Sequence, residues 1–352
     1  MSVRKVALVL GGTGTVGAHL VGLLEKRNDW DVIAVARRAP EFPTRARIIN
    51  LDLSDARACA EGLSGIEDVT HAIYAAEDTD GDAPADRAGR NETMFENALS
   101  TLEAAAPNLS RMTLMQGSSV YGSHLGPYKT PAKETDARHM PPNHFFAQED
   151  RLCRRQAGKP WSWTLLRPHA VSGFAPGRRR NAALAIAVYA TLSKALALPL
   201  RFPGHPAAFA AISEATDATL LSQAALWSGT EGACANQAFN ITNGDVFRWQ
   251  RLWPLIAEYF QMEVGEVRTI ALARHMADKG PLWDSLIERH GLERRPLDDL
   301  VDWSFADTLF AQSWDVMSDT TKCRTFGFEG FVDTEAMFIR RFDELRKRRI
   351  IP

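Results

Sequence analysis

Three glycines, Gly11, Gly14 and Gly17, recur at three-residue spacing in the stretch KVALVLGGTGTVGAHLV, from Lys5 to Val21. Glycine tolerates backbone angles that other residues resist, and its missing side chain lets the backbone approach a pyrophosphate or a neighbouring helix closely. An apolar strand-like run (Val6 to Leu10) precedes the cluster and a helical pattern follows it, the context in which this spacing reads as a dinucleotide-phosphate turn. Thr13, Thr15 and Val16 would then sit where free N–H groups and the positive end of the helix dipole meet the phosphates. The next chemical signal is Arg37-Arg38, at the end of the apolar segment Asp31 to Ala36. An acidic residue there would hold a ribose 2′-hydroxyl; arginine suits a 2′-phosphate, so NADP(H) is the expected cofactor. Asp52 and Leu53 follow a third apolar segment, Asp52 placed either to accept from an adenine amine or to close a turn. Ala75 and Ala76, small residues ending a fourth segment, would let a cofactor lie across the sheet edge. Pro168 and Val171, after a sixth, complete the set.

A second group of reactive side chains lies in Gly117-Ser118-Ser119-Val120-Tyr121-Gly122. Ser118, Ser119 and Tyr121 could each donate to a developing oxyanion, a contribution of roughly 3–4 kcal/mol per good donor. The serines read equally well as turn residues and Tyr121 as a packed strand-end tyrosine. His144 and His169 titrate near neutral pH and are candidate general acids, although a lone histidine is more often structural. Lys129, in GPYKTPAK, is a further cation that reads more simply as a solvated surface lysine.

These groups need elements to position them. Apolar segments at Lys5–Leu10, Asp31–Ala36, Arg47–Leu51, Val69–Ala76, Arg111–Gln116 and Ser162–Arg167 alternate with helical patterns, among them a helix N-capped by Ser54, Asn91–Ala105 and His144–Gln156. That alternation predicts an α/β fold, a doubly wound parallel (Rossmann) sheet with the ligand crevice at the strands' carboxyl ends. Glu77 to Gly89 is polar and reads as a mobile loop, and Ser123 to Asn143 as a long functional loop. Beyond residue 172 the pattern becomes mainly helical and rich in tryptophan (Trp227, Trp249, Trp253, Trp283, Trp303, Trp314), giving residues 1–172 as the dinucleotide-binding domain and 173–352 as a smaller substrate-binding part packed with it. Tryptophans at helical spacing are more often core than ligand box. The net charge of −2 offers no bulk attraction to nucleic acid or membrane. The longest apolar stretch, Ala182 to Leu200, is too interrupted to span a bilayer. Four well-separated cysteines show no metal spacing and suit a reducing compartment. With no signal peptide legible at the start, a cytoplasmic protein acting on a small molecule is expected.

Together the motifs resemble the extended short-chain dehydrogenase/reductases and, within them, the progesterone 5β-reductase and iridoid synthase-like family. GGTGTVG (11–17), VARR (35–38), LDLSD (51–55), FFAQED (145–150), LLRPHAVSGFAPG (165–177) and FNITNGDVFRW (239–249) carry the resemblance. It implies NADPH-dependent reduction of the activated C=C bond of an enone or enal, and homodimers paired through Asn91–Ala105 and His144–Gln156. It also implies a catalytic lysine at the position of Ser119 and a catalytic tyrosine in a Phe-Tyr-Tyr-x-x-Glu-Asp motif. Here that motif reads His144-Phe145-Phe146-Ala147-Gln148-Glu149-Asp150, with Phe145 at the site of the reaction and no phenol in it. The departure opens three readings: a reductase with an atypical active site, an NADPH-binding protein without reductase activity, or an epimerase or isomerase that uses the cofactor transiently.

Overall fold

The run Val6 to Leu10 is apolar at every position, as a strand covered on both faces must be. In the computed structural model, which describes residues 4–79 and 84–352, this run is β1 (Lys5–Leu10), an interior strand of a seven-stranded sheet. It is followed in chain order by α1 (Thr15–Leu24), β2 (Trp30–Ala36), β3 (Arg47–Asn50), α2 (Ala56–Gly62), β4 (His71–Tyr74), α3 (Pro84–Ala105), β5 (Arg111–Met115), α4 (His144–Gln156), β6 (Ser162–Arg167) and α5 (Ala182–Ala195). The spatial order is β3, β2, β1, β4, β5, β6 and then the strand Gln237–Asn240, all parallel. The chain reverses its direction of travel across the sheet between β1 and β4, which is where such sheets bind ligands.

The sheet confirms the doubly wound reading, with local corrections. The helix after β3 is N-capped by Asp55, whose carboxylate accepts from the Ala58 N–H; Ser54 instead donates its N–H and hydroxyl to Asp52. The loop expected over 77–89 is partly helix: α3 begins at Pro84, a residue suited to a first helical turn, and residues 80–83 lie outside the described residues. The seventh strand, Gln237–Asn240, and the helix Ala218–Thr230 come from the region read as the helical part. Leu220, Leu221, Ala224, Phe239 and Ile241 share a core with Ala7, Val9 and Leu20. These residues after position 172 thus pack in the same core as the first strand and helix.

The remaining C-terminal helices close on α5, which is buried from Ala182 to Ser193. Trp249, Trp253, Trp283 and Trp303 fill that core, as their helical spacing predicted. Trp227 instead packs on Phe239 beneath the sheet, and the Trp314 indole donates to the Ser123 carbonyl at 3.0 Å. At the end of α5, Ala197 adopts φ +53°, with the Leu198 N–H bonded to the Ser193 carbonyl and the Ala197 N–H to the Lys194 carbonyl. This is a left-handed helix cap that glycine fills best. Ala197→Gly is expected to raise stability by about 0.5–1 kcal/mol, relief of the Cβ clash outweighing the extra freedom of the unfolded chain; a urea midpoint that falls would contradict it.

Candidate active site

The register brings the strand ends level. Leu10 pairs with Val35 on one side and Tyr74 on the other, so Gly11, Arg37 and Ala75 emerge at one edge. Farther along, the Gln116 N–H bonds the Leu166 carbonyl, bringing Gly117 beside Pro168. Gly11, at φ +89°, lies against the end of β4: a Cβ there would sit 2.7 Å from the Ala76 nitrogen and 2.8 Å from the Ala75 carbonyl. A Cβ on Gly17 would lie 2.2 Å from the Gly11 oxygen, so that glycine is what lets α1 start against the turn. Gly14 is the N-cap and offers no side-chain cap, leaving the first N–H groups, those of Thr15 and Val16 among them, for an anion.

Arg178 reaches this turn from 165 residues along the chain, donating to the Thr13 carbonyl and hydroxyl, each at 3.3 Å. Nothing in its spacing pointed there; the signal was only three consecutive arginines at 178–180. Arg37 and Arg38 are exposed past β2, and neither forms an ion pair among the described residues. Arg37 lies close enough to Asp52 to help lower its carboxyl pKa, behind the hydrogen bonds from Ser54. Those bonds occupy the Asp52 carboxylate in its own turn. Leu53 is buried under the sheet, its carbonyl accepting from Asn97 at 2.9 Å. The free helix N-terminus, the close glycine turn and the nearby guanidinium groups fit a dinucleotide pyrophosphate.

On the other side of the crevice, the Ser118 hydroxyl lies 2.6 Å from His169 Nδ1 and 3.0 Å from the Ser123 hydroxyl. Burial pushes the His169 pKa down to about 4, so its imidazole is neutral at pH 7. Thr216, fully buried, fixes the histidine's backbone by accepting from its N–H and donating to its carbonyl. Ala170 follows at φ +42°, a conformation costing a non-glycine residue about 1–2 kcal/mol. Val171 then pairs with Thr216, which holds the turn after Pro168 in place.

Asn143 caps α4 with its side-chain oxygen and donates at 3.0 Å to the Ser119 carbonyl, which also accepts from His139. This ties Ser119 to the helix end bearing His144 and Phe145. The Phe145 ring lies over Gly117, where a Cβ would meet it at 3.6 Å. His144 stacks on Phe145 with ring centroids 4.1 Å apart; its Nε2 is buried without a hydrogen-bond partner, 4.0 Å from Glu77. Burial, then Arg87, pushes its pKa down to about 4. The Ser119 hydroxyl has no hydrogen-bond partner among the described residues.

Tyr121 is placed elsewhere. Its hydroxyl donates to Asn240 at 2.6 Å and accepts from Arg167 at 3.2 Å, and burial pushes its pKa up to about 12. The phenol is thus committed to a brace between β6 and the edge strand. Lys129 is exposed and paired with Asp136 at 2.6 Å, away from the strand ends. Arg167, unremarked in the sequence, is the centre of the brace, bonding Gln116, Tyr121, Glu134 and Glu149.

A doubly wound sheet with a glycine turn at its switch point, and with hydroxyl and imidazole side chains at neighbouring strand ends, defines a short-chain dehydrogenase/reductase of the extended type, with a nicotinamide dinucleotide site. The chain belongs to the PRISE-like Rossmann-fold domain family, whose model matches residues 53–352. It is 32% identical to the short chain dehydrogenase gsfE of Penicillium aethiopicum, over 99% of each chain. It is also 32% identical to an (S)-8-oxocitronellyl enol synthase of Catharanthus roseus, over 100% of this chain and 93% of that one. Among solved structures, a UDP-glucose 4-epimerase from Thermotoga maritima shares the fold, with a TM-score of 0.71 at 17% identity, covering 97% of this chain and 99% of that one.

Proposed function

We propose that this protein is an NADPH-dependent reductase of an activated C=C bond, in an enone or enal, or of a carbonyl, working with an atypical set of proton and hydrogen-bond donors. The observation that carries the reading is the cluster of Ser119, His144 and the Ser118–His169 pair beside Phe145, at the strand ends facing the glycine turn. When bound, the cofactor supplies a hydride. Its pyrophosphate would be held by the N-terminus of α1 with Arg178 alongside, and its 2′-phosphate by Arg37 and Arg38. Reduction of such an acceptor leaves negative charge on the substrate oxygen. A neutral imidazole N–H and a free hydroxyl are donors for that charge, and they need no deprotonated partner to act. The Ser118–His169 pair can carry a proton between the buried imidazole and the crevice. The similarity to oxocitronellyl enol synthases supports an oxygenated, conjugated substrate.

The test is NADPH consumption by the purified protein against a panel of enones and enals. Oxidation should depend on the added acceptor, and Ser119→Ala or His144→Phe should lower kcat by about 10- to 100-fold with little change in KM. Cofactor binding without acceptor-dependent oxidation, regained in a Ser119→Lys/Phe145→Tyr protein, would favour the second reading, a cofactor-binding protein without this activity. Product formed without net cofactor consumption would point to an isomerase. In the same protein, Arg37→Ser/Arg38→Ser should weaken NADPH binding by about 100-fold or more, from the loss of charge-assisted hydrogen bonds, while leaving NADH binding nearly unchanged. Equal losses for both cofactors would reject the 2′-phosphate assignment.

A further inference from the structure

The C-terminal part contains a cavity of about 490 Å³, walled by the second half of α5 and by the segments 196–201 and 268–279. Its size falls in the range of about 300–1,000 Å³ typical of small-molecule sites. It shares no residue with the strand ends that form the dinucleotide crevice. Arg201, Arg268, Arg274, His275 and Lys279 line it, and no carboxylate does, in a chain whose net charge is −2. Lys279 is paired with Asp278, but Arg268 and Arg274 form no ion pair among the described residues.

Arg201 is ion-paired with Glu266, Nε to Oε1 3.9 Å, through a side chain 76% exposed to solvent. The Arg201 Nε itself presents no surface to the cavity, so the donors open to a phosphate or carboxylate oxygen there are those of the exposed Arg268 and Arg274. The rest of the lining is largely apolar: Leu192 and Ile270 belong to it, and Leu196 and Leu198 are left 45% and 44% exposed. The Ala197 cap fixes the backbone between these two leucines.

We propose that this cavity binds a small amphipathic anion, its phosphate or carboxylate head against the arginines and its apolar body on the leucines, at a site separate from the dinucleotide. Neither half of the lining accounts for the other: a purely polar anion leaves the leucines in water, and a neutral hydrophobe leaves Arg268 and Arg274 without a counter-charge. The site stands independently of the proposed reductase activity.

Titration calorimetry of the full chain with octyl phosphate, inorganic phosphate and octanol tests it, with and without saturating NADPH. Octyl phosphate should bind saturably at one site, about tenfold or more tighter than either half-ligand, and NADPH should not displace it. Arg268→Gln/Arg274→Gln changes two exposed side chains, so folding is retained, and should weaken octyl phosphate binding by about tenfold or more while leaving NADPH binding unchanged. Octyl phosphate binding no better than inorganic phosphate, or unaffected by the double substitution, would overturn the proposal. Sedimentation with phosphatidylcholine vesicles containing phosphatidate separates the two sources of such a head group. Protein that stays in the supernatant supports a free small molecule; arginine-dependent pelleting that octyl phosphate cannot reverse overturns it in favour of a bilayer surface.

Discussion

Arg167→Met is expected to destabilise the protein by about 3–5 kcal/mol, a large part of the roughly 5–15 kcal/mol that holds a typical domain folded. The Arg167 side chain is 7% exposed and bonds Gln116 at 2.9 Å, Tyr121 and the Glu134 carbonyl at 3.2 Å, and Glu149 at 3.0 Å. Methionine replaces the volume but none of the donors. Glu149, 18% exposed, would keep Gln116 and the outer Arg138 but lose its buried cation. The loss of the buried cation beside the Glu149 carboxylate dominates the cost, so Arg167→Met/Glu149→Gln should recover part of it. Gln116 also donates to the Phe145 carbonyl at 3.2 Å, so the disturbance should reach the start of α4 and depress turnover in whatever protein remains folded. Arg167→Lys, with one compact ammonium in place of a planar fork, should fall between the two. Urea denaturation gives the values; a loss below about 1 kcal/mol for Arg167→Met would show that the brace does not carry the stability assigned to it.

Acid should destabilise the fold well before its carboxylates titrate. Burial holds His71, His144 and His169 near pKa 4, against an ordinary value of 6.5. Between these values the unfolded chain takes up protons that the folded chain refuses, so stability falls as pH drops from about 6.5 toward 4 and is fully present above 6.5. At pH 5 each fully shifted histidine costs about 2 kcal/mol, giving a ceiling of about 6 kcal/mol for the three. His144 and His169 retain some solvent contact, which lowers that ceiling. Glu214, buried and held above the usual carboxylate range, acts in the opposite direction and offsets part of the loss. His71 is the cleanest probe, because it packs on Trp30 with ring centroids 4.8 Å apart and lies far from the strand carboxyl ends. In His71→Leu, the stability difference between pH 7 and pH 5, measured by urea denaturation, should shrink by about 2 kcal/mol. An unchanged difference would mean that the histidine relaxes to solvent when it charges.

The glycine turn, the strand alternation through residue 167 and the arginine pair were legible because each depends on neighbours in sequence. Periodicity reports one face of one element, and Gly17 is demanded by the Gly11 oxygen in its own turn, whereas the crowding of Gly11 by Ala75 and Ala76 at the end of β4 appears only in the fold. Residues 237–240 are too short a run to stand out among helices, and only pairing with β6 makes them a strand. Tyr121 shows the limit at the site itself. Its position in the SSVYG run marks it as reactive, yet which way the phenol points depends on Asn240, 119 residues later.

From the sequence alone came the fold class, the cofactor turn and the family. The tertiary structure alone decided which side chains share the crevice: Arg178 on Thr13, His169 on Ser118, His144 beside Phe145 and Glu77. It also decided that these histidines are neutral, and that Arg268 and Arg274 line a cavity with no ion pair among the described residues. The physical reason is range. Local propensity and patterning act over a few residues, whereas burial, pKa and hydrogen-bond partnership are set by groups that meet only when distant segments pack.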